Sequence, residues 1–108
     1  MKKLNILWIC TDQQRADTLG CMGNEWVCTP NLDRLAAEGV VFENAYSQSP
    51  VCAPSRGSFL TGRYPRTCGP RQNGQDIDAG ERLFPKMLAD RGYYCGLAGK
   101  LHLSACHP

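Results

Sequence analysis

The sequence predicts an α/β fold: a mainly parallel sheet flanked by helices. Two observations carry this reading. Nearly continuous apolar runs, the mark of strands covered on both faces, recur along the chain. Between them lie helical stretches opened by proline and closed by glycine, so the elements follow the order β-α-β-α-loop-α-β expected of a layered α/β sheet.

Leu4 to Cys10 (LNILWIC) is the first predicted strand. Polar residues, Thr11-Asp12-Gln13-Gln14, begin at its carboxyl end, where open parallel sheets place their ligands. A helix over 30–38 follows, with Thr29 as N-cap, Pro30 at the first helical position and Gly39 as the stop. Leu32, Leu35 and Ala36 form its apolar stripe. Val40-Val41-Phe42 opens a second strand over 40–46. A second helix starts near Pro54 and runs to 61, ahead of Gly62. Residues 63–80, rich in glycine, proline and polar side chains, read as an extended loop. A third helix spans 83–90, with an early Pro85 and a stop at Gly92, and 93–98 returns as a strand.

The chain has 108 residues, which bounds it to one domain, and 43% of them are hydrophobic. Twelve basic against ten acidic residues leave a net charge of +2, too mild to indicate nucleic acid or an anionic membrane as partner. No run approaches the roughly 18 apolar residues of a membrane span. The start, Met1-Lys2-Lys3 and then seven mostly apolar residues containing Asn5, lacks a small-residue cleavage site, so a cytoplasmic protein is expected. Seven cysteines cannot all pair internally, and the absence of C-x-x-C argues against structural zinc. Cys10 and Cys95, inside strand-like runs, are expected to pack as small hydrophobes. His107 has no motif context and reads as tail.

Cys52 differs from the other cysteines. It lies in Pro50-Val51-Cys52-Ala53-Pro54-Ser55-Arg56, a loop leading into a helix. At a helix N-terminus, unpaired N–H groups and the positive end of the dipole favour an anion. Arg56, about one turn on, can lean back toward the same anion. A thiol phosphatase loop needs five residues between cysteine and arginine, and here there are three. An anion-handling site and a plain loop cysteine both remain open on spacing alone.

The run from Cys52 to Pro65 (CAPSRGSFLTGRYP) resembles the signature of the type I sulfatases, whose C-x-P-x-R cysteine is oxidised to formylglycine. Three further segments resemble that family in the same order: Asn5 to Gln13 its first strand and metal-binding turn, Thr29 to Phe42 its first helix and second strand, and Gly99-Lys100-Leu101-His102-Leu103 its G-K-x-H element. The resemblance implies an alkaline-phosphatase-like core, of which residues 1–108 are the N-terminal part of a catalytic domain with no second domain. It implies hydrolysis of a small-molecule or saccharide sulfate ester, with a formylglycine-generating enzyme as a partner. Cys52, as hydrated formylglycine, would supply the hydroxyl that attacks sulfur, and its second hydroxyl would expel sulfate as the aldehyde reforms. Asp12, Gln13 and residue 52 would face a divalent cation, Ca²⁺ or else Mg²⁺ or Mn²⁺. Gln13 stands where the family often has a second aspartate. The attacking hydroxyl would ionise near the metal and Arg56, while Lys100 and His102 would hold sulfate oxygens and His102 would also protonate or orient near the leaving group. Asn73, in the polar loop 21 residues after Cys52, is a candidate to hydrogen-bond substrate.

Asp12, Cys52, Arg56, Lys100 and His102 are therefore expected at one carboxyl edge of the sheet. Family members are several hundred residues long, and their second pair of metal ligands lies far downstream. The 108 residues alone are accordingly expected to be inactive, to bind metal weakly and to self-associate through truncated apolar surface. The rival readings are a phosphonate or phosphodiester monoester hydrolase, which tends to lack the Lys-x-His pair, and a non-catalytic module that binds anions or a partner chain.

Overall fold

In the computed structural model, which describes residues 3–103, proline opens and glycine closes most of the helices. The chain divides into two compact units between Ala45 and Tyr46.

The first unit contains α1, Pro30–Glu38, with the bounds that Pro30 and Gly39 imply. Two short 3-10 turns, Ala16–Thr18 and Gly20–Met22, precede it. The sequence pattern did not indicate them. Thr29 occupies the N-cap position, yet its hydroxyl makes no capping bond to α1. It accepts from Gly20 N–H at 2.8 Å and donates to Asp33 Oδ1 at 3.0 Å, while the same carboxylate oxygen accepts Cys21 N–H at 2.7 Å. This network fastens the turn Gly20–Met22 to the first turn of α1. No described residue of this unit is buried, and Leu32 and Leu35 of the expected stripe are exposed.

The second unit contains α2, Cys52–Thr61; α3, Pro65–Cys68; and α4, Phe84–Ala89. The start of α2 lies two residues before the position expected from Pro54. Proline is tolerated there because the first-turn N–H groups have no partner within a helix. The single turn α3 interrupts the stretch expected to be loop. The core forms where α2 meets α3: Ala53, Pro54, Leu60, Cys68 and Pro70 are buried. Gly57 permits this close approach, since a Cβ there would lie 3.2 Å from Pro70 Cγ and 3.4 Å from Cys68 Sγ. α4 also packs on α2.

The expected sheet is not confirmed. Among the described residues no strand forms, and 4–10, 40–46 and 93–98 have no regular secondary structure. Leu4, Leu7, Ile9, Val40 and Phe42 are all exposed. An apolar run reports a segment's demand for burial, whereas a strand also needs a neighbour to receive its backbone hydrogen bonds. Cys10 and Cys95, expected inside strands, are exposed as a result. Among the described residues no helix is long and apolar enough to cross a membrane. His107 lies outside the described residues.

Candidate functional site

The N-terminus of α2 is the organising feature of the second unit. Val51 is its N-cap, with extended backbone, and no side chain of the cap residue satisfies the first-turn N–H groups. Cys52 is the first helical residue, and its thiol is half-buried. Asn73 supplies what the cap lacks. Its Oδ1 accepts the Ala53 N–H at 3.0 Å and the Cys52 Sγ–H at 3.1 Å, so one carboxamide oxygen ties the backbone of α2 and the candidate nucleophile together. Asn73, the candidate of the polar loop for hydrogen-bonding substrate, lies against Cys52.

The path of the polar loop makes this contact possible. Gly69, directly after α3, has φ 112° and ψ −70°, a conformation open to glycine. A Cβ at Gly69 would lie 2.7 Å from Asp78 Oδ1 and 3.0 Å from the Asp76 carbonyl. Asp78 N–H closes the loop by donating to the Cys68 carbonyl at 3.0 Å. Arg71 and Gln72 N–H groups both reach Gln75 Oε1, at 2.7 and 3.3 Å, which folds the tip around Asn73.

Arg56 lies one turn along α2 from Cys52. Its side chain is 8% exposed, and Nη1 donates to the Lys100 carbonyl at 2.7 Å. The guanidinium thus holds the backbone of the Gly99–Leu103 segment. Three residues beyond Lys100, the Leu103 carbonyl accepts Ile77 N–H at 3.1 Å. His102 sits between these two anchors with φ 55°, in the left-handed region that non-glycine residues seldom occupy. Its Nδ1 is enclosed and has no hydrogen-bond partner among the described residues. The second unit therefore brings together Cys52 with Asn73, and Arg56 with the Lys100–His102 segment.

Asp12 and Gln13 belong to the first unit, where both are exposed and Gln13 has φ 54°. They carry the hard oxygen donors that Ca²⁺ and Mg²⁺ take. Among the described residues, however, no group of three or more His, Cys, Asp or Glu is gathered in a way that could hold a metal ion. Ca²⁺ takes about six to eight oxygen ligands.

One feature of the second unit had no motif to announce it. Gln48, Ser49, Pro54, Tyr64, Pro65, Arg66 and Arg71 line an open cleft of about 430 Å³.

Comparison with known proteins agrees with the motif pattern. A family model described as Sulfatase matches residues 4–106. The chain is 45% identical over 101 residues to an ulvan-active sulfatase of Formosa agariphila, covering 94% of this chain and 20% of that protein. It is 35% identical over 102 residues to an N-acetylglucosamine-6-O-sulfatase of Bacteroides thetaiotaomicron, covering 94% and 18%. It is 40% identical over 110 residues to the steryl-sulfatase of Rattus norvegicus, covering 92% and 19%. A crystal structure of the protein yidJ from Bacteroides fragilis superposes with a TM-score of 0.80 at 40% identity, over 89% of this chain and 22% of that one. The chain spans about a fifth of the length of the relatives it matches.

Proposed function

Because the chain belongs to the sulfatase family, we propose that it contributes the nucleophile and part of the sulfate-binding apparatus for hydrolysis of a sulfate ester. The observation that carries this reading is the seat of Cys52. It is the first residue of α2, at the positive end of the helix dipole and with its thiol held by Asn73. Such a helix terminus favours the negative charge that gathers on a sulfate group during transfer.

Conversion of Cys52 to formylglycine by a formylglycine-generating enzyme supplies a hydrated aldehyde: one hydroxyl attacks sulfur as the ester oxygen departs, and the other loses its proton to expel sulfate as the aldehyde reforms. The half-buried side chain at 52, on a helix rather than a loop, suits a group that must be held at one angle to the sulfur–oxygen bond. Lys100 supplies a positive charge for the sulfate oxygens. His102 supplies a proton to the departing ester oxygen or orients it. Asp12 and Gln13 are two oxygen donors toward a divalent cation, Ca²⁺ or else Mg²⁺ or Mn²⁺.

The ester belongs to the small-molecule or saccharide sulfates. Two of the relatives above are named for saccharide substrates, N-acetylglucosamine-6-sulfate and ulvan, and one for steryl sulfate. The test is to graft these 108 residues in place of the matching segment of a full-length sulfatase, since alone they are expected to be inactive, express the chimaera with a formylglycine-generating enzyme and compare kcat/KM for an aryl sulfate, an aryl phosphonate monoester and a bis-aryl phosphodiester. The sulfatase reading predicts the aryl sulfate to be preferred, and Lys100→Ala to lower that preference. Preference for the phosphonate or the diester would replace this reading with the other hydrolase. A protein that turns over none of them, and keeps an intact Cys52 thiol, would be the non-catalytic module.

A further inference from the structure

We propose that Asn73 is a positioning residue for the side chain at 52: its carboxamide oxygen fixes the rotamer of the nucleophile through the bond that it shares with the first turn of α2. The inference deepens the proposed function and rests on it for the kinetic consequence alone.

Three observations support it. Asn73 Oδ1 accepts two donors from adjacent residues, the Ala53 N–H at 3.0 Å and the Cys52 Sγ–H at 3.1 Å. A carbonyl oxygen has two lone pairs, so both bonds are satisfiable at once and the oxygen is saturated by them. The backbone bond anchors the oxygen against a rigid helix, and the thiol bond then selects one staggered χ1 for residue 52. Second, the Val51 side chain makes no capping bond to α2, and the Ala53 N–H is held by Asn73 instead. Third, the loop is built to deliver this residue. Gly69 turns the chain at φ 112° in a space closed to any Cβ, Asp78 N–H ties back to the Cys68 carbonyl, and Gln75 Oε1 gathers the Arg71 and Gln72 N–H groups next to Asn73.

The consequence for chemistry follows from the acceptor's identity. Asn73 Oδ1 accepts a hydrogen bond from whatever donor the side chain at 52 carries, a thiol or the hydroxyl of a hydrated aldehyde. Fixing one of the two hydroxyls leaves the other pointed elsewhere, so the residue distinguishes the two oxygens that hydrolysis must use in succession. Loss of the oxygen releases χ1 and spreads the nucleophile over several directions, which lowers the fraction of bound substrate in attacking geometry.

The test compares the wild-type protein with Asn73→Ala and Asn73→Asp. In the unconverted thiol form, the Hα–Hβ couplings of Cys52 and the hydrogen exchange of the Ala53 amide are read by NMR. The wild-type protein should show couplings of a single χ1 rotamer and a protected Ala53 amide. Asn73→Ala should average the couplings and speed exchange at Ala53 about tenfold, whereas Asn73→Asp, which keeps an acceptor oxygen, should retain both. In the converted chimaera with a full-length sulfatase, Asn73→Ala should lower kcat for an aryl sulfate about tenfold with KM within twofold. Averaged couplings in the wild-type protein would overturn the proposal without any variant being needed. So would Asn73→Ala that exposes the Ala53 amide but leaves Cys52 in one rotamer and kcat unchanged, since Asn73 would then be only a helix cap. If the converted wild-type chimaera hydrolyses no sulfate ester, the proposed function fails while the coupling measurement still decides the role of Asn73.

Discussion

Substituting Gly69 by alanine should destabilise the second unit more than any other single-methyl addition at its glycines. The residue sits at φ 112° and ψ −70°, and a Cβ there would come within 2.7 Å of Asp78 Oδ1, 3.0 Å of the Asp76 carbonyl and 3.0 Å of the Asp78 nitrogen. Two of these three neighbours are backbone atoms of the loop that carries Asn73, so they cannot rotate away. Forcing an L-residue into such a conformation costs about 1–3 kcal/mol. Displacing close-packed neighbours costs about 1–3 kcal/mol more. The expected loss is therefore about 2–6 kcal/mol, a large share of the roughly 5–15 kcal/mol that stabilises a domain. Two controls separate the contributions. Gly74 has φ 82° but nothing within 4 Å of a new Cβ, so Gly74→Ala should carry only the backbone cost, about 1–2 kcal/mol. Gly80 has open space and no positive φ, so Gly80→Ala should be neutral or stabilise by up to about 1 kcal/mol. Urea titration followed by circular dichroism reads all three. A Gly69→Ala midpoint at or above that of Gly74→Ala would refute the packing of this loop.

Three further outcomes are expected. Asp33→Ala removes the acceptor for both Cys21 N–H and Thr29 Oγ1, and should cost about 1–2 kcal/mol and speed amide exchange at Cys21; unchanged exchange there would contradict the network. The carboxyl of Asp90 is held below its ordinary 3.8, first by its hydrogen bond from Lys86 and then by that from Arg82. Because the folded value is depressed, the contribution is complete above the ordinary value and lost as pH falls through the lower folded one, so Asp90→Asn should flatten stability below about pH 4; an unaltered acid limb would contradict it. The exposed apolar side chains of Leu4, Leu7, Ile9, Val40 and Phe42 should make the 108-residue chain self-associate, read as a rise in sedimentation coefficient with concentration, and a monomer throughout would exclude it.

The sequence made the helices more legible than the strands, and the anion-handling motif more legible than its support. Pro30 and Gly39 marked α1 to the residue because both act locally, through a fixed φ and a helix stop. Pro54 misled by two residues, since proline is accepted anywhere in a first turn, and the difference moved Cys52 from a loop onto the helix itself. The apolar runs 4–10, 40–46 and 93–98 expressed a need for cover, but pairing is a property of two segments, and no single run encodes its neighbour. Cys52 and Arg56 were legible together because their spacing is one helical turn. The partner that Arg56 takes, the carbonyl of Lys100, lies 44 residues away on a backbone atom and leaves no trace in residue identity. Asn73 stood out only as a polar residue in a polar loop. Its contact with Cys52 depends on the turn at Gly69 and the closure at Asp78, which only the folded loop reveals.

In the proposed function, Cys52 is the precursor of a sulfate-transferring nucleophile. Mass spectrometry of the proteolytic peptide containing Cys52, from protein produced with a formylglycine-generating enzyme and assayed for aryl sulfate hydrolysis, tests it most directly. In the chimaera, sulfur should be lost from residue 52, the fraction converted should track the specific activity, and Cys52→Ala should abolish turnover. Full activity from protein whose Cys52 remains a thiol, or from Cys52→Ala, would contradict it.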